Sequence, residues 1–166
     1  MPDGVQTGIP DEIISPRRAR FVTIASRSPA GGKVAMADLE AFFDELPPVA
    51  IKTMIGEWLG GVFPTGGIYD FLLRPKPLVR WYGKNFRNEN HVNALMCKVF
   101  GMKVRLPLGR ARLRRIDYRG AVSAAMIYDR LPIIDHFRAV DDDTVMGLME
   151  TRGRRGAAFY LTRKKD

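Results

Sequence analysis

One segment in the first third of the chain carries apolar residues at helical spacing. These positions fall at i, i+3, i+4 and i+7 and are Leu39, Phe42, Phe43 and Leu46, which puts them on one stripe of a helix. Pro47 follows directly and ends the pattern. The sequence therefore predicts an amphipathic helix, whose apolar stripe either packs in the core or forms a lid over a pocket.

The second half of the chain changes to short runs that are separated by turn residues. Such runs at even spacing are typical of an antiparallel barrel or sandwich. Upstream, residues 53–63 read as a strand that contains glycines, 21–25 as a short strand, and 81–86 as a short aromatic run. We predict a mainly β fold, an antiparallel β-barrel with an N-terminal amphipathic helix. The later runs are 95–100, 102–106, 112–118, 121–128, 133–140, 144–150 and 157–162.

Length and composition fit one domain behind a short arm. The chain has 166 residues, of which 46% are hydrophobic and 27% charged, a balance typical of a single soluble globular domain. Residues 1–20 hold glycines and prolines without periodicity, so we predict a flexible arm followed by one domain over 21–166. Residues 68–73 are expected to form a helical turn, which Pro75 and Pro77 end.

Positive charge is in excess and unevenly distributed. The chain has 27 Lys and Arg against 18 Asp and Glu, a net charge of +9. Residues 98–119 contain eight basic residues and one acid, Asp117. Such asymmetry attracts nucleic acid, anionic lipid or an acidic small molecule, and it also occurs on an ordinary solvated face. Because no nucleic-acid motif is present, a specific nucleic-acid partner is the least favoured of these.

Cysteine and histidine content excludes several kinds of site. Cys97 is the single cysteine, and His91 and His136 are the two histidines, which excludes a disulfide framework and a cysteine-based zinc site. No apolar run reaches the roughly 18 residues of a membrane span. The first 20 residues include acids and prolines rather than a signal peptide, so a cytoplasmic protein is expected.

A family resemblance begins at Gly56–Gly60, which reads GEWLG. Together with WYGKNF at 81–86, YDRLPIIDHFR at 128–138 and VDDDTVMG at 140–147, it resembles the GXWXG domain followed by a second domain of unknown function. The two halves would cover 37–95 and 96–166. The resemblance implies a small barrel, lipocalin-like or pleckstrin-like, and bacterial members of the family are thought to bind lipid-like ligands.

The motif itself suggests a structural role. A glycine–tryptophan start to a barrel strand also occurs in lipocalins, where the tryptophan closes one end of the barrel. We therefore expect Trp58, flanked by Gly56 and Gly60, to plug the barrel floor, with contact to a ligand as the alternative.

The most chemical stretch is Asp135–Arg138. On a strand, His136 and Arg138 share one face, and Asp135 and Phe137 share the other. Arg138 beside apolar neighbours in a barrel mouth would hold a carboxylate or phosphate, because its guanidinium bonds two oxygens at once. The alternative is an internal ion pair with one of Asp141–Asp143. His136 is either structural or a haem ligand.

Other candidate residues form a predicted entrance for an amphipathic ligand. Trp81, Tyr82 and Lys84 suit a boundary that is apolar on one side and wet on the other, although packing of the rings against Pro75 and Pro77 is an alternative. Arg105 and Arg112, with Lys84, complete a predicted basic rim that would bind an anionic head group.

These residues predict a protein that binds a hydrophobic or amphipathic anionic ligand, a fatty acid or a phospholipid. The basic surface of the protein would also favour its approach to anionic membranes. The alternative is a barrel that binds haem or another cofactor, with redox or isomerase activity. No cofactor or metal is otherwise expected. None of the common catalytic motifs is present, so no catalytic residue is predicted.

Overall fold

A computed structural model of the chain describes residues 15–27, 32–69 and 78–165. Within these ranges the helices are α1 (Pro16–Ser26), α2 (Met36–Glu45) and the short α3 (Ile51–Met54). The strands are β1 (Gly56–Val62), β2 (Val79–Asn88), β3 (His91–Val99), β4 (Met102–Arg105), β5 (Arg110–Tyr118), β6 (Ala121–Tyr128), β7 (Ile133–Ala139), β8 (Thr144–Thr151) and β9 (Arg154–Arg163).

Eight antiparallel strands close into a barrel. Each strand of the ring pairs with its neighbours in chain order, and β9 returns to pair with β1. β4 lies outside the ring, since it pairs with β3 alone among the described strands. The predicted antiparallel barrel is therefore confirmed, and closure resolves the choice between a closed lipocalin-like form and a more open half-barrel.

Two hydrophobic cores lie on the two sides of the barrel wall. The barrel interior contains Trp58, Phe86, Leu113, Met126 and Phe137. A second core, which we call the outer layer, lies between helices α1 and α2 and the outer faces of β7, β8 and β9. Its members include Phe21, Ile24, Leu39, Phe42, Phe43, Leu46, Val140, Met146, Leu148 and Ala158.

The two ends of the barrel differ in what covers them. At the end we call lower, β1 begins directly after α3. Here Val49 and Met54 pack against the barrel interior, and Val49 exchanges backbone and side-chain hydrogen bonds with β6. At the opposite, upper end lie the turns between β3 and β4, β6 and β7, and β8 and β9. The lower half of the barrel is consequently filled with side chains.

The predicted amphipathic helix is confirmed as α2, and its apolar stripe is core. Leu39, Phe42 and Phe43 are fully buried in the outer layer. The stripe faces the outside of the barrel wall and covers no part of the cavity described below.

The strand that we predicted at 21–25 is wrong, because these residues lie in α1. Ser15 caps this helix by accepting a hydrogen bond from the Arg18 backbone N–H, and Pro16 occupies its first turn. Phe21 and Ile24, one helical turn apart, are buried in the outer layer. Residues 16–20 of the predicted flexible arm are helical too.

Some predictions fall outside the described residues. Residues 1–14 of the predicted arm do so, as do 70–73 of the predicted helical turn, whereas Ile68 and Tyr69 are helical. The described helices contain no segment long and apolar enough to cross a membrane.

Candidate ligand-binding cavity

A cavity of about 180 Å³ lies inside the upper half of the barrel. Its wall comes from the upper parts of β2, β3, β6, β7, β8 and β9, and it is almost entirely apolar. For scale, an engineered apolar cavity of about 150 Å³ takes up benzene. The lining residues are Tyr69, Trp81, Leu95, Leu131, Ile133, Met149 and Phe159, together with Lys84, Tyr128 and Asp135.

The polar part of the wall is a buried ion pair. Lys84 Nζ lies 2.9 Å from Asp135 Oδ2, and both side chains are at most 3% exposed. Lys84 also donates a hydrogen bond to the Tyr128 hydroxyl at 3.2 Å. The ammonium lies 5.1 Å from the centre of the Phe159 ring and 5.4 Å from that of Trp81, close enough for cation–π attraction.

One oxygen of this cluster has no partner. Asp135 Oδ1 is buried and makes no hydrogen bond within the described part of the chain. A buried polar atom without a partner costs about 1–3 kcal/mol. Since Asp135 lines the cavity, a ligand there that carries a hydrogen-bond donor would remove this cost.

Burial and charge act against each other in this cluster. Burial lowers the pKa of the Lys84 ammonium, but Asp135 and Tyr128 outweigh this effect, so the pKa lies above its ordinary value. Burial raises the pKa of Asp135, and Lys84 opposes this only in part. Burial likewise raises the pKa of Tyr128 to about 12. At neutral pH, Lys84 is therefore charged and Tyr128 is a neutral hydroxyl.

The GXWXG motif supports this wall from β1. Trp58 is fully buried; its indole N–H donates to the Met54 carbonyl at 2.8 Å, and the Arg163 guanidinium covers its ring at 4.3 Å. Trp58 lies opposite Lys84 in the ladder and is not among the residues that line the cavity. A Cβ on Gly60 would overlap the Trp81 indole, so the glycine makes room for a cavity-lining ring.

Of the predicted entrance residues, Trp81 and Lys84 line the cavity and Tyr82 does not. The ring of Tyr82 lies beneath the ammonium groups of Lys98 and Lys103, at 5.3 and 4.6 Å from its centre. The proposed packing of these rings on Pro75 and Pro77 lies outside the described residues.

Arg138 lies on the other side of the barrel wall, in the outer layer. It is 3% exposed and donates to the backbone carbonyls of Leu46 at 3.0 Å and Tyr118 at 3.1 Å. These two carbonyls take the place of both predicted partners of Arg138, the anionic ligand and the alternative ion pair with one of Asp141–Asp143. Arg138 therefore fixes the end of α2 to the sheet, and it is not among the residues that line the cavity.

His136 shares this outer face. Its Nε2 lies 3.0 Å from Glu150 Oε2, and its ring stacks on Tyr118 at 3.6 Å. Burial lowers the pKa of His136, and Glu150 opposes the shift. The position does not suit a haem ligand, because the imidazole is covered by Tyr118 and is separated from the cavity by the wall. The described residues contain no group of His, Cys, Asp and Glu suited to a metal ion.

The remaining basic residues are dispersed. Arg112 pairs with Asp129 at 2.6 Å on the surface. Arg105 borders a separate polar cleft between β3 and β5, with Arg87 and Arg110. Lys84 is thus the one member of the predicted basic rim that lines the apolar cavity.

Sequence reasoning missed Asp135 and Tyr128, which complete the polar part of the cavity. The alternation along β7 correctly separated Asp135 and Phe137 from His136 and Arg138, but we took the wrong face as the interior. Phe137 shares a face of β7 with Asp135, and a large aromatic ring usually lies in a core. The ring was therefore the available sign that this face points into the barrel.

Comparisons with known proteins agree with this architecture. Residues 41–99 match the model of the GXWXG protein family, and residues 109–163 match a domain of unknown function (DUF4334). A crystal structure of a protein from Thermomonospora curvata is 40% identical, with a TM-score of 0.78, over 90% of this chain and 99% of that one. No curated protein matches the chain. The chain belongs to the GXWXG family, with the domain of unknown function as its second half.

Proposed function

We propose that the protein binds a small hydrophobic molecule inside the barrel, with one hydrogen-bond donor of the ligand placed on Asp135. The observation that carries this proposal is that Asp135, whose buried Oδ1 has no partner among the described residues, lines an otherwise apolar cavity. Apolar contact with Trp81, Ile133 and Phe159 would supply most of the affinity, at about 0.8 kcal/mol for each buried methylene.

The polar group of the ligand follows from the charges around it. Lys84 is already paired with Asp135, so the pair has no net charge to offer an anion. A ligand carboxylate beside Asp135 would meet a like charge in a poorly solvated site. An alcohol, a phenol or an amide N–H would instead donate to Oδ1. Within the predicted class of lipid-like ligands, this favours a hydroxyl-bearing molecule over a fatty acid or an anionic phospholipid.

Three probes that share a toluene skeleton separate these possibilities by calorimetric titration. Toluene tests the apolar cavity, p-cresol adds a donor, and 4-methylbenzoate adds a negative charge. We expect p-cresol to bind about tenfold more tightly than toluene, since a hydrogen bond to a charged group contributes roughly 1.5–3 kcal/mol. 4-Methylbenzoate should bind most weakly. Mass spectrometry of the purified protein would show whether an alcohol, a fatty acid or a phospholipid accompanies it.

Matched variants locate the binding. Ile133→Phe places a larger ring in the cavity and should abolish binding of all three probes. Ile127→Phe makes the same exchange one strand away, at a half-buried position that does not line the cavity, and should bind as the unaltered protein does. If no probe binds, or if Ile133→Phe binds normally, the cavity is not the site. Tighter binding of 4-methylbenzoate than of p-cresol would refute the role of Asp135.

A further inference from the structure

Three hairpins of the barrel close with the same tight turn. In each, two residues with positive φ connect the strands: Phe100 and Gly101 (49° and 81°), Arg119 and Gly120 (52° and 79°), and Arg152 and Gly153 (50° and 73°). Such turns favour Asn, Asp or Gly at the first position, and a bulky residue there is unusual.

Phe100 differs from its two counterparts in being apolar, and it is 72% exposed. Neither turn chemistry nor packing accounts for an exposed phenyl ring at this position. Since strained or unfavourable local choices persist where they serve a function, Phe100 points to contact with something outside the chain.

The neighbours of Phe100 extend the exposed apolar surface. Leu78 is 57% exposed, Val79 44% and Met102 68%. The Phe100 backbone N–H donates to the Leu78 carbonyl at 3.1 Å, and Val99 pairs with both Val79 and Met102. We call Leu78, Val79, Phe100 and Met102 the apolar tip. Contiguous exposed apolar side chains of this kind mark interaction surfaces.

A row of positive charge lies directly behind the apolar tip. Lys98 is the cross-strand partner of Arg80 on one side and of Lys103 on the other. Like charges in opposite positions destabilise a sheet. Lys103 is partly compensated by Glu57 at 3.3 Å, whereas Arg80 has no acidic partner within the described ranges. β2, β3 and β4 themselves contain no acidic residue.

The tip lies at the upper end of the barrel, next to the cavity. Trp81, which lines the cavity, directly follows Arg80. Leu95 of β3 lines it as well. A surface that contacted the tip would therefore lie close to the cavity-bearing end of the molecule.

We propose that the apolar tip docks the protein on a membrane that contains anionic lipid. Its apolar side chains enter the interface, and Arg80, Lys98 and Lys103 contact the head groups, where each nearby basic residue adds attraction. A lipid surface fits better than a second copy of the chain, because the basic row would face itself in a dimer. The surface area of four side chains is also well below the roughly 800 Å² that each partner buries in a stable protein interface.

Vesicle co-sedimentation tests the proposal, with phosphatidylcholine vesicles that either contain or lack phosphatidylglycerol. We expect binding to the anionic vesicles and little to the neutral ones. Phe100→Asn should weaken binding about tenfold, since it removes the most exposed of the four apolar side chains of the tip. Asn is favoured in this turn, so the thermal midpoint should not fall. Lys98→Gln should weaken binding to the anionic vesicles about fivefold.

Val122→Asn is the matched control. Val122 is 46% exposed and lies near the start of β6, at the lower end, so its exchange should leave vesicle binding unchanged. Equal binding of Phe100→Asn and the unaltered protein would overturn the proposal, as would self-association that Phe100→Asn abolishes in the absence of lipid. The test uses no cavity ligand, so its outcome is independent of the calorimetric test of the proposed function.

Discussion

The barrel interior and the outer layer both bury charged side chains, but they treat them differently. In the outer layer, Arg138 gives its hydrogen bonds to two backbone carbonyls, at the end of α2 and the end of β5. In the interior, Asp135 lines the cavity and has one buried oxygen with no partner in the described part of the chain. The hydrogen bonds of the Arg138 guanidinium are thus made within the chain and are structural. His136 Nδ1 in the outer layer is also buried without a partner among the described residues, but His136 does not line the cavity, whereas Asp135 does.

The largest effect expected from this difference is at the interior ion pair. Lys84→Met leaves Asp135 buried without its charged partner, which should lower the free energy of unfolding by about 3–5 kcal/mol. Adding Asp135→Leu removes the stranded carboxyl and should restore most of that stability, because apolar replacements of buried pairs are often neutral. Urea unfolding of both variants measures this.

The double variant, Lys84→Met with Asp135→Leu, also tests the proposed role of Asp135 in ligand binding. It keeps an apolar wall but lacks the acceptor, so p-cresol should lose its advantage over toluene. If Lys84→Met were as stable as the unaltered protein, the pair would not be the buried, coupled unit described above.

Sequence reasoning reached the architecture but chose the wrong face of β7. Alternation separates the two faces of a strand, but one face must look wetter for the interior to be identified. Here α2 covers the outside of β7 and β8, so both faces of these strands are buried. Arg138 and His136 attracted attention as chemical side chains, and nothing local showed that helix α2 would cover them.

The N-terminal error has a similar origin. The stretch 21–25 is rich in β-branched and aromatic residues, which favours a strand on local grounds. The helix is instead stabilised by its cap at Ser15 and by contacts of Phe21 with Phe63 and Tyr160, whose ring centres lie 6.2 and 5.2 Å away. Such contacts between distant segments cannot be read from a single short window. Trp81 and Lys84, by contrast, were identified because they belong to the short aromatic run at 81–86.

An intermediate effect is expected from Arg138→Met in the outer layer. The variant leaves the Leu46 and Tyr118 carbonyls without their donor, which should lower the free energy of unfolding by about 1–3 kcal/mol. The affinities for toluene and p-cresol should not change, because the barrel wall separates this residue from the cavity. Urea unfolding and calorimetry on the same preparation measure both quantities. A selective loss of probe binding, with stability unchanged, would place Arg138 in the site after all.

The smallest effect is expected from His136, and it appears only as a dependence on pH. Burial lowers the pKa of His136 in the folded protein below its ordinary value of 6.5, so the unfolded chain takes up this proton more readily. Stability should therefore fall as the pH falls through 6.5 and below. The hydrogen bond from Arg119 lowers the pKa of Asp44. Burial raises the pKa of Glu57, but Lys103 and Lys164 outweigh it and the net shift is downward, so both carboxyls titrate at still lower pH. Asp135, whose pKa is raised by burial, is present in both the unaltered protein and the His136→Gln variant and therefore does not contribute to the difference between them.

His136→Gln keeps a hydrogen-bonding group beside Glu150 without a titrating imidazole, so its thermal midpoint should change less between pH 7 and pH 5 than that of the unaltered protein. The difference between the two slopes isolates His136, because the other ionisable groups are shared. Equal slopes would mean that the imidazole is free to protonate in the folded state. The outer layer would then hold a partly open polar site, and its contrast with the interior would weaken.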